Sequence, residues 1–469
     1  MPVLLRGRPE LPAAENETML RQTSRALPIL LAFAVAPSRA DDPPAVPAPA
    51  ETLRVSLSQA VEIALGPDGN ARVQLARELV RQSRSRAAQA RAALLPNVDG
   101  SLSYQSRTQN LQSFGLLIRT PGFVVPPFVG PFTVFDARAA ATQSVFDLAS
   151  IRRYQSSKSA VTGAEAERLF AEEQTRQQVA RVYLGVLRSQ AVIRAERANA
   201  ELAGRLLRLA TEQKAAGTGT AIEVTRARLQ VSSQRQRLLV AENEDRRSRL
   251  QLLRAMGLEL GIAVETADAM TSLPPAPTTV EQALQTALAS RADWIAQQRR
   301  EDAARLNREA VTAERVPSLA VFGDYGSSGS AINDSLATRS IGFSIRIPVF
   351  DGGRRDARRA ETRSLWDQER IRTRDLKTQI ELEIRLALDA LASAAEQVKT
   401  AEEGLALAET ELAQAQRRYE AGMAPGIELT DAQTRLERAR ESRISALYAY
   451  NVARIDQAAA TGTLKDLIR

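Results

Sequence analysis

Two glutamates stand at matched distances from a pair of glycines, and an aspartate and a tyrosine flank the second of them. Glu223 follows Gly217 by six residues and Glu428 follows Gly422 by six. Asp431 lies one turn further on, and Tyr419 three residues before Gly422. Each glutamate sits where a turn gives way to a helical stretch, so its elementary chemistry is electrostatic. An acid in a first helical turn faces unpaired N–H groups and the positive end of the helix dipole. Covalent roles are excluded on composition. The 469 residues include no cysteine and no histidine. Zinc and thiol sites, disulfides and catalytic schemes built on those side chains are therefore ruled out. No pair of acids lies in a glycine-framed strand-end context either, which disfavours a carboxylate-pair hydrolase. The chain reads as a non-enzyme without a cofactor, its acids acting through charge.

A duplicated unit positions these residues. "EQKAAGTGTAIEVTRARLQVSSQRQR" from Glu212 aligns without a gap on "RRYEAGMAPGIELTDAQTRLERARES" from Arg417. The register holds until Met256-Gly257 meets Thr461-Gly462, pairing Gly217 with Gly422 and Glu223 with Glu428. Upstream, "LSQAVEIAL" at Leu57 answers "VEQALQTAL" at Val280, and "LPNVDGSLSY" at Leu95 answers "VPSLAVFGDY" at Val316. Each copy runs short helix, helix, strand, loop, strand, very long helix, tight turn, helix. The fold expected is mainly α with some β.

The long helices are predicted over about 151–213 and 353–420, where proline is absent and glycine sparse. At ~1.5 Å per residue each is about 95–100 Å long, more than a compact core needs. In the second, apolar residues from Leu376 through Ile380, Ile384 and Leu391 to Leu412, Ala415 and Tyr419 step by three and four, a coiled-coil seam. The returning helix carries a seam at Ala432, Leu436, Ala439, Ala446, Tyr450 and Ala453. Glu437, Arg438, Arg440, Glu441 and Arg443 between its apolar positions are expected to face water. Ala216-Gly217-Thr218 and Ala421-Gly422-Met423 form the hairpin turns, with Gly supplying the left-handed cap and Pro425 leading into the next helix.

Strands are predicted over about 98–107, 132–146, 318–326 and 338–350. Ile341, Phe343, Ile345 and Ile347 alternate with small polar residues and share one face. Such strands match those of a membrane barrel, an ordinary soluble hairpin being the alternative. From Met19, "MLRQTSRALPILLAFAVAPSRADD" has a basic start, a short apolar run and a Ser38-Arg39-Ala40 cleavage site. We therefore expect residues 1–40 to be a leader with a signal peptide, Met19 being the true start. Residues 41–52 form a Pro/Ala-rich linker. The first repeat spans 53–262 and the second 280–464, with a linker at 263–279 and a short C-terminal tail at 465–469.

An exported chain with no helix of transmembrane length enters a membrane through strands. Four strands cannot close a barrel, so the sheet requires oligomerisation: a dimer gives eight strands and a filled interior, a trimer twelve and room for a pore. The connection 108–131 is apolar and Pro/Gly-rich, suited to an outer mouth, a lipid or neighbour contact, or a packed surface loop. The formal charge of +8 is carried by arginines scattered among glutamates, not clustered with aromatics, which argues against nucleic acid.

In order and repeat, these pieces resemble the TolC-type outer-membrane efflux proteins. The tip signature Tyr419-x-x-Gly422-x-x-x-x-Ile427-Glu428-Leu429-x-Asp431-Ala432 strengthens the resemblance, which covers about Leu53 to Leu464. It implies a homotrimer whose twelve-stranded β-barrel, four strands per protomer, sits in outer-membrane lipid. A long helical barrel continues it into the periplasm. It implies a passive exit duct for a tripartite efflux or type I secretion system. The duct's tips dock on a periplasmic adaptor coupled to an inner-membrane pump. By the same resemblance Tyr419 and Glu223 constrict the entrance, while Glu428 and Asp431 form an acidic ring that attracts divalent cations. Gly217, Thr218, Gly422 and Met423 fall where the adaptor docks. Ala424 replaces an arginine of some family locks, and Glu replaces Asp at 223 and 428, so a looser gate is expected. The competing reading from another class is a periplasmic coiled-coil scaffold or adaptor without a pore.

Overall fold

A computed structural model of the protein describes residues 52–115, 126–272 and 278–468, and the backbone of 119–120 and 123–124. The leader assigned to 1–40, and all but the last residue of the linker at 41–52, lie outside the described residues. Strand β1 (Leu53–Val55) and helices α1 (Leu57–Leu65) and α2 (Ala71–Ala92) lead into β2 (Asn97–Asn110). Two-residue strands β3 (Arg119–Thr120) and β4 (Phe123–Val124) precede β5 (Phe128–Phe146). A helical hairpin follows, α3 (Leu148–Ala215) and α4 (Ala221–Met256). The second copy comprises β6 (Val264–Thr266), α5 (Val280–Ser290), α6 (Ala292–Ala313), β7 (Ser318–Gly329) and β8 (Leu336–Arg346). Its own hairpin, α7 (Arg354–Glu420) and α8 (Gly426–Thr461), is followed by the short α9 (Leu464–Leu467).

The duplication is visible in element lengths and in caps. Helices α3 and α7 contain 68 and 67 residues, about 100 Å each, and α4 and α8 contain 36 each. Ser56 with Gln59, and Thr279 with Gln282, build the same capping box on α1 and α5. Along α7 the seam positions Ile380, Ile384, Leu391, Val398, Ala408, Leu412, Ala415 and Tyr419 are all buried. They pack against α8 and, near the turn, against Leu202 and Leu206 of α3. Helix α6, 22 residues long, packs against both α3 and α7 and so joins the two copies over part of their length.

Strands β2, β5, β7 and β8 form one antiparallel sheet in that order, with β2 and β8 as its edges. All four strand–helix junctions fall at one end of this sheet, since Asn97 pairs with Thr142 and Ser318 with Arg346. The register assigns the faces. Leu102 lies opposite Ala137, Ala139 opposite Tyr325 and Val321 opposite Phe343, giving one apolar face. Ser101, Ser103, Thr142, Ser340 and Ser344 alternate onto the other. The apolar face is uncovered within the protomer, Ile341 being 83% exposed.

Four local expectations change. β8 ends at Arg346, not Phe350, because Pro348 has no N–H to donate to a ladder. β2 continues to Asn110 and β5 begins at Phe128, shortening the connection expected over 108–131. Within the expected linker 263–279, Val264–Thr266 pairs in parallel with Leu53–Val55. The expected tail at 465–469 starts within α9 and docks, with Leu464 and Ile468 buried. Both of these last segments join the largest core, at the waist, where Tyr183, Leu252, Met256 and Ile455 pack under α1. Each large side chain buried there contributes about 1.5–3 kcal/mol.

Candidate functional site at the hairpin tips

The two turns are built alike. Gly217 and Gly422 have φ of +76° and +70°, in the left-handed region that a glycine enters at no steric cost. The following amides close the turns: Thr218 N donates to Gln213 O at 3.0 Å, and Met423 N to Arg418 O at 2.8 Å. This is the Schellman arrangement, which satisfies carbonyls that the helix ends leave open. Both turns are water-exposed, and Met423 projects with Ile222 and Ile427 as uncovered apolar side chains.

Glu223 ties one tip to the other. Its Oε2 accepts from Thr220 N at 2.8 Å, capping α4, and its Oε1 accepts from Gly426 N at 3.3 Å at the start of α8. These N–H groups, Thr220 first, hold the carboxyl below the usual glutamate range against a smaller opposing effect of burial. The length of the glutamate side chain lets it reach across the hairpins. A close approach is needed: a Cβ on residue 426 would lie 3.1 Å from Glu223 Oε1.

Tyr419 is buried among Leu202, Leu206, Leu412, Leu429 and Leu436. Its carbonyl accepts from Gln213 Nε2 at 3.2 Å, a second link between tips. Burial first, and then the Glu223 charge, push its phenol above its ordinary pKa, so it stays protonated. Tyr419 and Glu223 line one small cavity of about 40 Å³, so the structure brings that pair together. Glu428, half-buried in the first turn of α8, has its Oε1 3.4 Å from Arg418 Nη1; Asp431 is exposed one turn further. Among the described residues no three acidic side chains gather as a metal site. A cation at Glu428 and Asp431 would need carboxylates from more than one copy.

Sequence reasoning missed three participants. Gln213 and Arg418 occupy equivalent positions in the two copies, and that equivalence was the available signal. Gln213 reaches the other tip at Tyr419, and Arg418 reaches across its own turn to Glu428. The third is Glu437, expected in water but only 8% exposed. Its Oε1 accepts from Gln230 at 3.0 Å, Gln433 at 3.1 Å and Gln234, and its Oε2 from Arg237 at 2.9 Å. Side chains of α4 reach over α3 to this carboxylate, which an amphipathic pattern in α8 alone does not reveal. Nearby Glu196 is raised by burial, and Arg440 donates to the buried Asn199 at 2.6 Å.

A family model for outer membrane efflux proteins matches residues 68–258 and 283–463, one stretch on each copy. The chain belongs to the outer membrane efflux protein family. It is 26% identical over 298 residues to the pyoverdine export outer membrane protein OpmQ of Pseudomonas aeruginosa. That alignment spans 62% of this chain and 60% of the relative's length. Among solved structures, the CmeC outer membrane channel of Campylobacter jejuni superposes with a TM-score of 0.76 at 17% identity. It covers 87% of this chain and 86% of its own. VceC of Vibrio cholerae gives 0.74 at 18% identity, covering 87% and 96%. These likenesses establish the fold, a long helical body with a β domain. Family membership places the protein in the cell outer membrane.

Proposed function

We propose that the protein is a passive exit duct: three copies close a twelve-stranded barrel in the outer membrane, and their hairpins continue it as a periplasmic tube. One observation carries this reading. The four-stranded sheet has an exposed apolar face, a polar face and two unpaired edges, all at one end of helices about 100 Å long. No backbone edge can face lipid unsatisfied, and twelve strands leave a lumen that eight would fill. Further support comes from apolar side chains left uncovered along α4 (Leu229, Leu239, Val240) and α7 (Ile371, Leu382, Leu386), which suit contact between neighbouring copies. No described helix is long and apolar enough to cross a membrane, so insertion falls to the strands.

At the far end, Tyr419 and Glu223 hold the two hairpins of each copy together, and Glu428 and Asp431 face the axis as an acidic ring. Gly217, Thr218, Gly422 and Met423 form the blunt surface that a periplasmic adaptor contacts, and the adaptor couples the duct to an inner-membrane pump. OpmQ's role in pyoverdine export makes a small exported molecule one cargo class to test. The deciding experiment is single-channel conductance of the mature protein in planar bilayers, with Glu428 and Asp431 intact or changed to Gln and Asn. Small cation-selective currents that grow or lose selectivity in the variant are expected. A protein that stays soluble without detergent and carries no current refutes the duct.

A further inference from the structure

The polar face of the sheet carries a charged cluster at mid-strand, far in sequence from the tip acids. Arg138 of β5 donates through Nε and Nη2 to Asp136 at 2.7 and 2.6 Å, and through Nη1 to Asp324 of β7 at 2.7 Å. Gly326 is the direct cross-strand partner of Arg138. A Cβ at residue 326 would stand 2.3 Å from Arg138 Cβ, so only glycine lets this arginine lie across the strand to Asp324. Around it on that face stand Ser101, Ala140 and Ser328, with the exposed Asp99 opposite Ala140 on β2 as a further carboxylate outside the cluster. Two carboxylates thus share one guanidinium, leaving one net negative charge. All three side chains remain partly open to water, a setting in which ion pairs add little to stability.

We infer that this triad sets the ion preference of the membrane section of the duct, with Arg138 as the residue that limits its negative charge. The inference rests on the duct reading, which turns the polar face toward the lumen. Three copies place three triads at one height, a ring of net charge −3 separate from the Glu428/Asp431 ring. Lumenal fields are screened over about 10 Å at 0.1 M salt but only about 3 Å at 1 M. A ring effect must therefore fade as salt rises.

The test is reversal potential across planar bilayers in a KCl gradient, with Glu428→Gln and Asp431→Asn present in every arm to remove the tip ring. Arg138→Gln doubles the ring's net charge, and the K⁺/Cl⁻ permeability ratio is expected to rise roughly twofold at low salt. Asp136→Asn with Asp324→Asn inverts the ring, and the ratio is expected to fall below that of the parent. The triple neutral variant Arg138→Gln/Asp136→Asn/Asp324→Asn carries no uncompensated charge to impair assembly and should lie between them. Ratios equal to the parent in all conducting variants, or shifts that persist unchanged at about 1 M salt, overturn the inference. A parent that never conducts overturns the duct reading instead.

Discussion

Shortening Glu223 to aspartate separates its two jobs. Aspartate can also fill the third helical position of a capping box, so the Thr220 amide keeps a carboxylate partner close by. It cannot span to Gly426, whose N–H already meets Oε1 at a long 3.3 Å. A hydrogen bond to a carboxylate is worth about 1.5–3 kcal/mol when buried. Glu223 is partly exposed, and solvent screening brings the tie nearer ~1 kcal/mol. That corresponds to about a fivefold increase in local opening between the tips of one protomer. Hydrogen exchange on the detergent-solubilised protein reads both amides in one experiment. Glu223→Asp should speed exchange at Gly426 about fivefold while leaving the 220–224 segment near wild type; Glu223→Ala should release both. Acidification should mimic the alanine change. Because its folded pKa is depressed, the Glu223 contribution is present above about pH 4.3 and is lost as pH falls through the folded value. Unchanged Gly426 exchange in the aspartate variant would refute the bridge and leave Glu223 as a helix cap alone.

Three further outcomes can be checked together. Tyr419→Phe keeps the buried ring and should preserve the closed-state conductance, whereas Tyr419→Ala should lose about 3 kcal/mol of packing and raise it; a Phe variant as leaky as Ala would assign the gate to the hydroxyl. Glu437→Ala strips Gln230, Gln234, Gln433 and Arg237 of their shared acceptor and should cost about 3 kcal/mol, read as a lower thermal midpoint by circular dichroism. An unaltered midpoint would show that water replaces the carboxylate. Tyr183→Phe removes a buried hydroxyl lying 2.8 Å from Asp268 Oδ2 and 3.0 Å from Val55 O, and should destabilise the waist by about 1–3 kcal/mol in denaturant titration.

The sequence made the fold legible through its repeat. Periodicity located the α7 seam residue by residue, because a coiled coil is patterned by its own helices. Strand ends were off by three or four residues, as at Arg346 and Asn110, since they depend on a partner strand and on where proline interrupts it. Val264–Thr266 went unread because a three-residue strand has no period, and its partner Leu53–Val55 lies some two hundred positions away. At the tips, residue types and turn geometry were readable, but the links were not. Gln213 to Tyr419 and Glu223 to Gly426 each connect positions separated by about one repeat length. Glu437 was misassigned for the same reason: its burial comes from side chains of another hairpin.

The open edges of the sheet, β2 and β8, have a genetic consequence. In the three-copy barrel proposed above, a protomer that folds its helices correctly but carries a proline on an edge strand would still enter rings and spoil them. If such copies made up half the pool, only about one three-membered ring in eight would be free of them. Edge lesions in this protein should therefore behave as dominant alleles, while lesions that prevent folding altogether should be recessive.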